Sequence, residues 1–449
     1  MTIRASRTRF VWTPILGWVL LSCATSAVRA QVDTPSPARQ TLEQQTPQVD
    51  LPTDASTSAG GGVNTGDELG ISVGAFTLHP TLELNLGYDD NVFATPAPTT
   101  PSAVAVVRPT LELRSEWVRH QLRLLASGGF GFYASAPTQN FQNYMIQADG
   151  KLDIHTDMWL TGLVGFRRST EALGTPNVSF AQAPTVVDSI PIELLLYHRF
   201  NRLFYQLTAS ATKYWYYDYS TITALGLPAA SRDRTEYEEG FRIGYELVAE
   251  RLSLFVSSSI NQRLYVDTIN VAGQQRDSTG FNMGVGASLT LGPKSTLEGS
   301  VGWTSQTYTA SGTSTSAIAF ALSGAWNGYE PLTVRPVLSR TINESALSNY
   351  QNYVSTVAGI DFTYDIHYPW KAIGGLSYNI ADYTPVPGLA VNPRSDSFVK
   401  ASIGLLYEVR PQYSIGPVYE YSQGTSTDIT AGGPQFSRNM FSVRLIAKR

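Results

Sequence analysis

The chain has 449 residues, of which 15% are charged, with 32 Lys and Arg against 36 Asp and Glu. Soluble domains are typically about 25% charged, so this composition indicates little soluble core. The slightly acidic balance lacks the basic signature of a nucleic-acid-binding protein, and we expect no nucleic-acid partner. Cys23 is the only cysteine, which excludes an internal disulfide.

The N-terminus has the three parts of a secretory signal peptide, which we assign to residues 1–30. Arg4, Arg7 and Arg9 precede the short apolar stretch Phe10–Leu21, and Val28-Arg29-Ala30 offers a small-residue cleavage site. Cleavage would remove four arginines and no acidic residue, which leaves a net charge of −8. No later stretch reaches the roughly eighteen apolar residues of a spanning helix, so none is expected in the mature chain.

Two further N-terminal features have alternative interpretations. Leu20-Leu21-Ser22-Cys23 resembles a lipoprotein box, in which Cys23 would be lipidated; the preferred alternative is that Cys23 is a small residue inside the signal. Residues 31–70 are rich in Pro, Thr, Ser, Gln and Gly and nearly lack aromatic residues. Such a segment cannot bury enough surface to fold, so it is predicted to be a disordered periplasmic arm; a spacer is preferred, and docking of a periplasmic partner is the alternative.

Apolar and polar residues alternate from Phe76 onward. Leu82, Leu84 and Leu86 fall on one side of the first segment, whereas Glu83 and Asn85 fall on the other. Because successive side chains of a strand point to opposite faces, one face of this segment is apolar and the other polar.

The same rhythm recurs in roughly eighteen segments, a number within the range of large bacterial barrels. The segments centre near 76–89, 105–117, 120–133, 141–155, 158–168, 187–198, 202–216, 234–248, 251–265, 279–291, 295–308, 316–327, 331–342, 351–364, 369–382, 396–408, 411–423 and 437–447.

The connections between these segments alternate between long and short. Residues 217–233 form a long connection, for example, and residues 249–250 a short one. A soluble sandwich has no reason to alternate in this way, whereas an outer-membrane barrel has long extracellular loops and short periplasmic turns. We therefore predict an all-β fold for residues 71–449, a large antiparallel transmembrane β-barrel of about 18 strands in the outer membrane of a Gram-negative cell.

Part of the chain resembles a known family. Tyr88–Phe93 (YDDNVF), Arg108–Leu113 (RPTLEL) and Trp117–Tyr133 (WVRHQLRLLASGGFGFY) look like an outer-membrane β-barrel porin family whose members are encoded with exopolysaccharide biosynthesis operons. The resemblance implies transport of a polysaccharide chain through the outer membrane, together with a periplasmic polysaccharide-export protein. Such barrels usually end on an aromatic residue, and this chain departs from that pattern by ending on Lys448-Arg449.

The polar faces of the predicted strands carry charges of both signs, which suit a wide, hydrated lumen. Any barrel interior is polar, so no single residue is assigned as a ligand, and the sequence does not determine the oligomeric state. The predicted pore-lining residues are Arg108, Glu112, Arg114, Arg123, Asp149, Lys151, Arg242, Arg263 and Arg335.

Three function classes remain open, of which exopolysaccharide export is preferred. A general diffusion porin is second. Such porins often fold an acidic third loop into the lumen, whereas the third long connection here, 169–186, contains only one acidic residue, Glu171, which disfavours this class. An outer-membrane hydrolase is third. No zinc-binding His pattern or serine-nucleophile motif is present, so we predict a non-enzymatic protein without catalytic residues, cofactor or metal, whose surroundings are the lipids of the outer membrane.

Overall fold

The computed structural model describes residues 70–176, 184–217, 229–267, 276–292, 294–309, 311–429 and 432–449. The predicted signal peptide, with Cys23, and almost all of the predicted arm lie outside the described residues. Within those residues, no helix has both the length and the apolar character needed to cross a membrane.

Strands of 13 to 18 residues make up most of the described chain, together with one short strand and two short 3₁₀ helices, Pro137–Gln139 and Ala229–Arg232. The strands are β1 (Ile71–Val73), β2 (Phe76–Asp89), β3 (Ser102–Ser115), β4 (Gln121–Tyr133), β5 (Phe141–His155), β6 (Met158–Glu171), β7 (Thr185–Phe200), β8 (Leu203–Tyr217), β9 (Arg234–Val248), β10 (Leu252–Tyr265), β11 (Ser278–Gly292), β12 (Ser295–Tyr308), β13 (Ser314–Tyr329), β14 (Leu332–Glu344), β15 (Tyr350–His367), β16 (Trp370–Pro385), β17 (Arg394–Arg410), β18 (Tyr413–Ser426) and β19 (Phe436–Lys448).

Strands β2 to β19 close into a barrel. Each pairs antiparallel with the next, and β19 returns to pair with β2, from Met440 opposite Asp89 to Lys448 opposite Thr81. Where β19 ends, β1 continues along the same edge of β2, with Ile71 opposite Leu78. Closure satisfies the backbone groups that an open edge would leave exposed to lipid. The prediction of an 18-stranded antiparallel barrel is confirmed for the described part of the chain.

The predicted segments match β2 to β19 one for one, and their ends differ by a few residues. The second segment was predicted to run to Trp117, but β3 ends at Ser115. The prediction missed β1, which is only three residues long and too short to show a two-residue rhythm.

The two faces of each strand differ in exposure as the alternation predicts. In β2, Leu86 is 49% exposed, whereas Glu83 and Asn85 are each 7% exposed. The apolar side chains therefore face outward to lipid, and the polar side chains face the lumen and one another.

The two ends of the barrel differ in the length of their connections. One end carries tight turns such as 156–157 and 201–202, where Asn201 adopts a left-handed backbone conformation. We call it the short-turn end; β1 and the C-terminus also lie there. The opposite end, which we call the long-loop end, carries connections such as 90–101 and 386–393. It also carries a marked departure from a regular barrel wall, between β13 and β14.

Candidate pore lining and constriction

The barrel wall is irregular where β14 leaves β13. Pairing between these strands is confined to four residue pairs, of which Ala321–Ser339 lies furthest toward the long-loop end. By contrast, β14 stays paired with β15 along its whole length, up to Glu344 opposite Asn352. The upper part of the β14–β15 hairpin therefore separates from its neighbour. We call residues 342–354 the hairpin tip.

The hairpin tip lies on the lumen side of β13. Ala317 is on the inner face of β13, because it pairs with Thr304, next to the outward-facing Trp303. Ile342 and Val354 of the tip pack against this alanine in a buried apolar cluster. In a regular wall, Ile342 and Val354 would face lipid. Here both side chains are instead covered by the inner wall of the barrel.

Glu344 anchors the tip to the inner wall formed by β10 and β12. Its carboxylate accepts hydrogen bonds from Arg263 Nη1 at 2.7 Å and Tyr265 Oη at 2.9 Å, both from β10, and from Tyr308 Oη at 3.2 Å, at the end of β12. Arg276 Nη2 lies 3.8 Å from the same carboxylate. Strands four apart are about 19 Å apart along a sheet, beyond the reach of one ion pair. The tip must therefore project into the lumen.

The opposite face of the tip approaches the wall formed by β6 to β9. Tyr353 packs against Tyr383 with ring centroids 5.1 Å apart, and it lies within electrostatic reach of Glu171 and Arg232. Arg232 donates two hydrogen bonds to Glu171, at 2.8 and 2.6 Å. Two arginine–glutamate clusters therefore flank the tip at the long-loop end.

Arg232 lies in the 3₁₀ helix outside the barrel strands, and its charge is stabilised there. Burial alone would lower the pKa of its guanidinium, but the Glu171 carboxylate and its hydrogen bonds raise that pKa above its usual value. The sequence predicts Glu171 in a long loop, whereas the structure places it at the end of β6. Its role is to pair with Arg232, so it does not act as an isolated acidic loop residue.

Six of the predicted pore-lining residues lie on β3, β4 and β5. Arg114 Nε donates to Glu112 at 2.8 Å, and Arg123 Nε donates to Asp149 at 2.9 Å while its Nη1 lies 3.6 Å from Glu112. Lys151 Nζ lies 3.5 Å from Asp153 Oδ1 and 4.8 Å from the centre of the Trp159 ring. These partners sit on the same or an adjacent strand. Arg108, the sixth, pairs with Glu83 on β2.

The other three predicted residues lie on β9, β10 and β14. Arg242 Nη2 donates to Glu298, three strands away, at 2.9 Å, and its guanidinium lies 3.9 Å from the Phe255 ring centre. Arg263 belongs to the Glu344 cluster described above. Arg335 stands opposite Asp361 in the β14–β15 register. The nine residues thus form separate groups, and the structure does not gather them into one ring.

Sequence reasoning missed the residues that build the constriction, above all Glu344, Arg276, Tyr265 and Tyr308. One signal was present in the alternation. With Ser339 facing the lumen, a regular strand would turn Arg340 and Glu344 toward lipid, where a charged side chain is unfavourable. That conflict indicates that the strand leaves the wall before Arg340. Among the described residues, no group of three or more His, Cys, Asp or Glu is arranged to hold a metal ion.

These features define a class: an antiparallel barrel with an apolar outside and a polar inside, as in outer-membrane porins. The family model described as "Putative beta-barrel porin 2" matches residues 64–449, and the chain belongs to that family. The protein is accordingly an outer-membrane protein. No curated protein matches the chain in sequence.

Several solved structures similar to this chain come from Pseudomonas aeruginosa. The outer membrane protein OpdK shares 12% identity at a TM-score of 0.45, over 83% of this chain and 99% of that one. OccK3 (OpdO) shares 13% identity at 0.43, over 83% and 95%. The siderophore receptor PirA shares 9% identity at 0.40, over 83% and 80%.

Proposed function

We propose that the protein is an outer-membrane conduit for export of an exopolysaccharide, supplied by a periplasmic polysaccharide-export protein. The proposal takes its substrate from the resemblance of Tyr88–Tyr133 to barrels encoded with exopolysaccharide operons. The structural observation that supports it is the pairing of the inner charges. Because arginines and carboxylates neutralise each other along the wall, the lumen offers polar contacts without a deep trap of one sign, and conduction requires binding weak enough to release.

The hairpin tip favours a gated conduit over a general diffusion porin, the second candidate. A diffusion porin needs a passage that is open at rest, whereas here the tip occupies the lumen at the long-loop end and is held by buried ion pairs. In our proposal the tip moves aside when a polymer enters from the short-turn end.

Deletion of the gene tests the function directly. Loss of surface or secreted polysaccharide, with nearly unchanged uptake of small solutes, is the expected result. A deletion strain that still secretes polysaccharide but grows poorly on dilute nutrients would support the diffusion porin instead. A purified wild-type protein should also conduct ions poorly in a planar bilayer.

Export in this direction requires the long-loop end to face the medium. A protease site inserted between Ala224 and Ala230, in the connection from β8 to β9, should be cut in intact cells. The same site inserted at Gly292–Lys294 should be protected until the outer membrane is opened. Reversed accessibility would place the hairpin tip on the periplasmic side and contradict this orientation.

A further inference from the structure

A cavity of about 190 Å³ lies against the inner wall of β8 to β14, below the hairpin tip. Hydroxyl and amide side chains make up nearly half of its lining residues. They include Gln206, Thr208, Ser210, Ser259, Asn282 and Gln306.

The floor of the cavity is flat because the wall residues there are small. Ser257, Gly284, Gly302 and Ala319 stand side by side in register on β10 to β13. A Cβ on Gly302 would lie 2.1 Å from the Met283 carbonyl oxygen, so the backbone there can approach its neighbour only with glycine. A row of small residues does not by itself define a binding site, but it creates a recess that a flat ligand could enter.

Three buried polar atoms around this recess have no hydrogen-bond partner among the described residues: Arg242 Nε, Asn261 Oδ1 and Arg340 Nε. Arg242 is only 7% exposed. Leaving a buried donor or acceptor unsatisfied is energetically unfavourable. Two donors and one acceptor facing a common recess therefore point to a ligand that both accepts and donates hydrogen bonds.

The charges around the cavity identify the kind of ligand. Three arginines and three glutamates line it: Arg242, Arg263, Arg340, Glu236, Glu238 and Glu298. An acidic ligand would be repelled by the glutamates, and a basic ligand would be repelled by the arginines. An uncharged ligand rich in hydroxyl groups avoids both conflicts, because each hydroxyl can donate one hydrogen bond and accept others.

We propose that this cavity is a binding subsite for uncharged sugar residues of the transported chain. The inference rests on the proposed function and adds a site and a substrate class to it. A sugar ring lying on the Ser257–Ala319 floor would accept from Arg242 Nε and Arg340 Nε and donate to Asn261 Oδ1. The subsite lies immediately below the tip, so a bound chain would pause there before the tip moves.

The test uses the purified full-length mature barrel in detergent. Isomaltohexaose, maltohexaose and cellohexaose serve as neutral probes, and hexagalacturonate as the acidic probe, with binding measured by calorimetry. At least one neutral probe should bind, and more tightly than the acidic one. Ala319→Leu, which fills the floor, should weaken that binding by at least about tenfold. Arg340→Gln, which removes an unpaired donor without adding bulk, should also weaken it.

Ala287→Leu is the matched control, because it adds the same atoms to the outer, lipid-facing side of β11 and should leave affinity unchanged. Heat-dependent gel migration checks that each variant is folded. The proposal fails if no neutral probe binds, if the acidic probe binds best, or if folded Ala319→Leu and Arg340→Gln bind like the wild type. If these variants export normally while the deletion strain does not, the subsite is wrong and the conduit stands. Unchanged secretion in the deletion strain would instead remove the proposed function.

Discussion

The two halves of the lumen use the same residue types in different ways. Near the short-turn end, Arg114 and Glu112 pair within one strand, and their side chains are 44% and 17% exposed. At the long-loop end, Arg263 and Glu344 pair across four strands and are 6% and 4% exposed. Composition alone therefore does not distinguish a hydrated wall from a constriction. The distinction depends on which strands the partners come from.

Locking the constriction should have the largest effect. Asn352 Nδ2 donates to Thr315 Oγ1 at 2.9 Å, which joins the hairpin tip to β13. In a Thr315→Cys, Asn352→Cys double variant, a short bis(methanethiosulfonate) crosslinker, which forms a disulfide with each cysteine and releases methanesulfinate, should tie the tip in place and stop polysaccharide secretion by intact cells. Dithiothreitol should restore secretion, because the tip could then move again.

Each single-cysteine variant controls for that experiment and should secrete normally with the reagent present. Cys23 does not interfere if the predicted signal peptide is removed. Normal secretion by a double variant whose crosslink is verified by mass spectrometry would show that the tip need not move.

The second prediction compares the stability of the two halves. Arg232→Ala leaves the Glu171 carboxylate buried without its partner, and breaking a buried pair costs about 3–5 kcal/mol. Arg114→Ala removes an exposed pair, worth about 0–1 kcal/mol. Urea-induced unfolding in lipid should show a clear shift of the midpoint for Arg232→Ala and almost none for Arg114→Ala. Equal shifts would remove the contrast between the halves.

The smallest effect is expected from several charges near the short-turn end. Replacing Arg108, Arg114 and Arg123 together with Ser should change export by less than about twofold, since each of these arginines pairs with a carboxylate on its own or an adjacent strand and isolated wall pairs of this kind contribute little. Secreted polysaccharide, assayed per cell, measures the change. Complete loss of secretion would contradict this prediction and show that these arginines are required for export.

The barrel itself could be predicted from the sequence because a two-residue alternation with one face toward lipid restricts the register of each strand. Shifting a strand by one residue would turn every apolar side chain inward, so β2, β5, β9 and β12 were predicted with the boundaries seen in the structure. The short β1 could not be found in this way. Its pairing with Phe76–Leu78 depends on where β19 ends.

The constriction could not be predicted because its partners are set by closure of the whole ring. Glu344 and Arg263 are 81 residues apart, and no local pattern brings them together. The predicted segment 331–342 also stopped before Glu344. Strand alternation predicts which face a residue takes, but it does not predict that a hairpin will leave the wall.

The most direct test of the constriction is the ion conductance of a barrel without its hairpin tip. Replacing residues 343–353 with Asn-Gly, a turn suited to a two-residue hairpin, would join the paired residues Ile342 and Val354 and shorten β14 and β15 without cutting the rest of the wall. Since an 18-stranded barrel encloses an aqueous channel when its lumen is clear, single-channel conductance in planar bilayers should rise several-fold over the wild type. An equal conductance for the two folded proteins would contradict the assignment of residues 342–354 as the constriction.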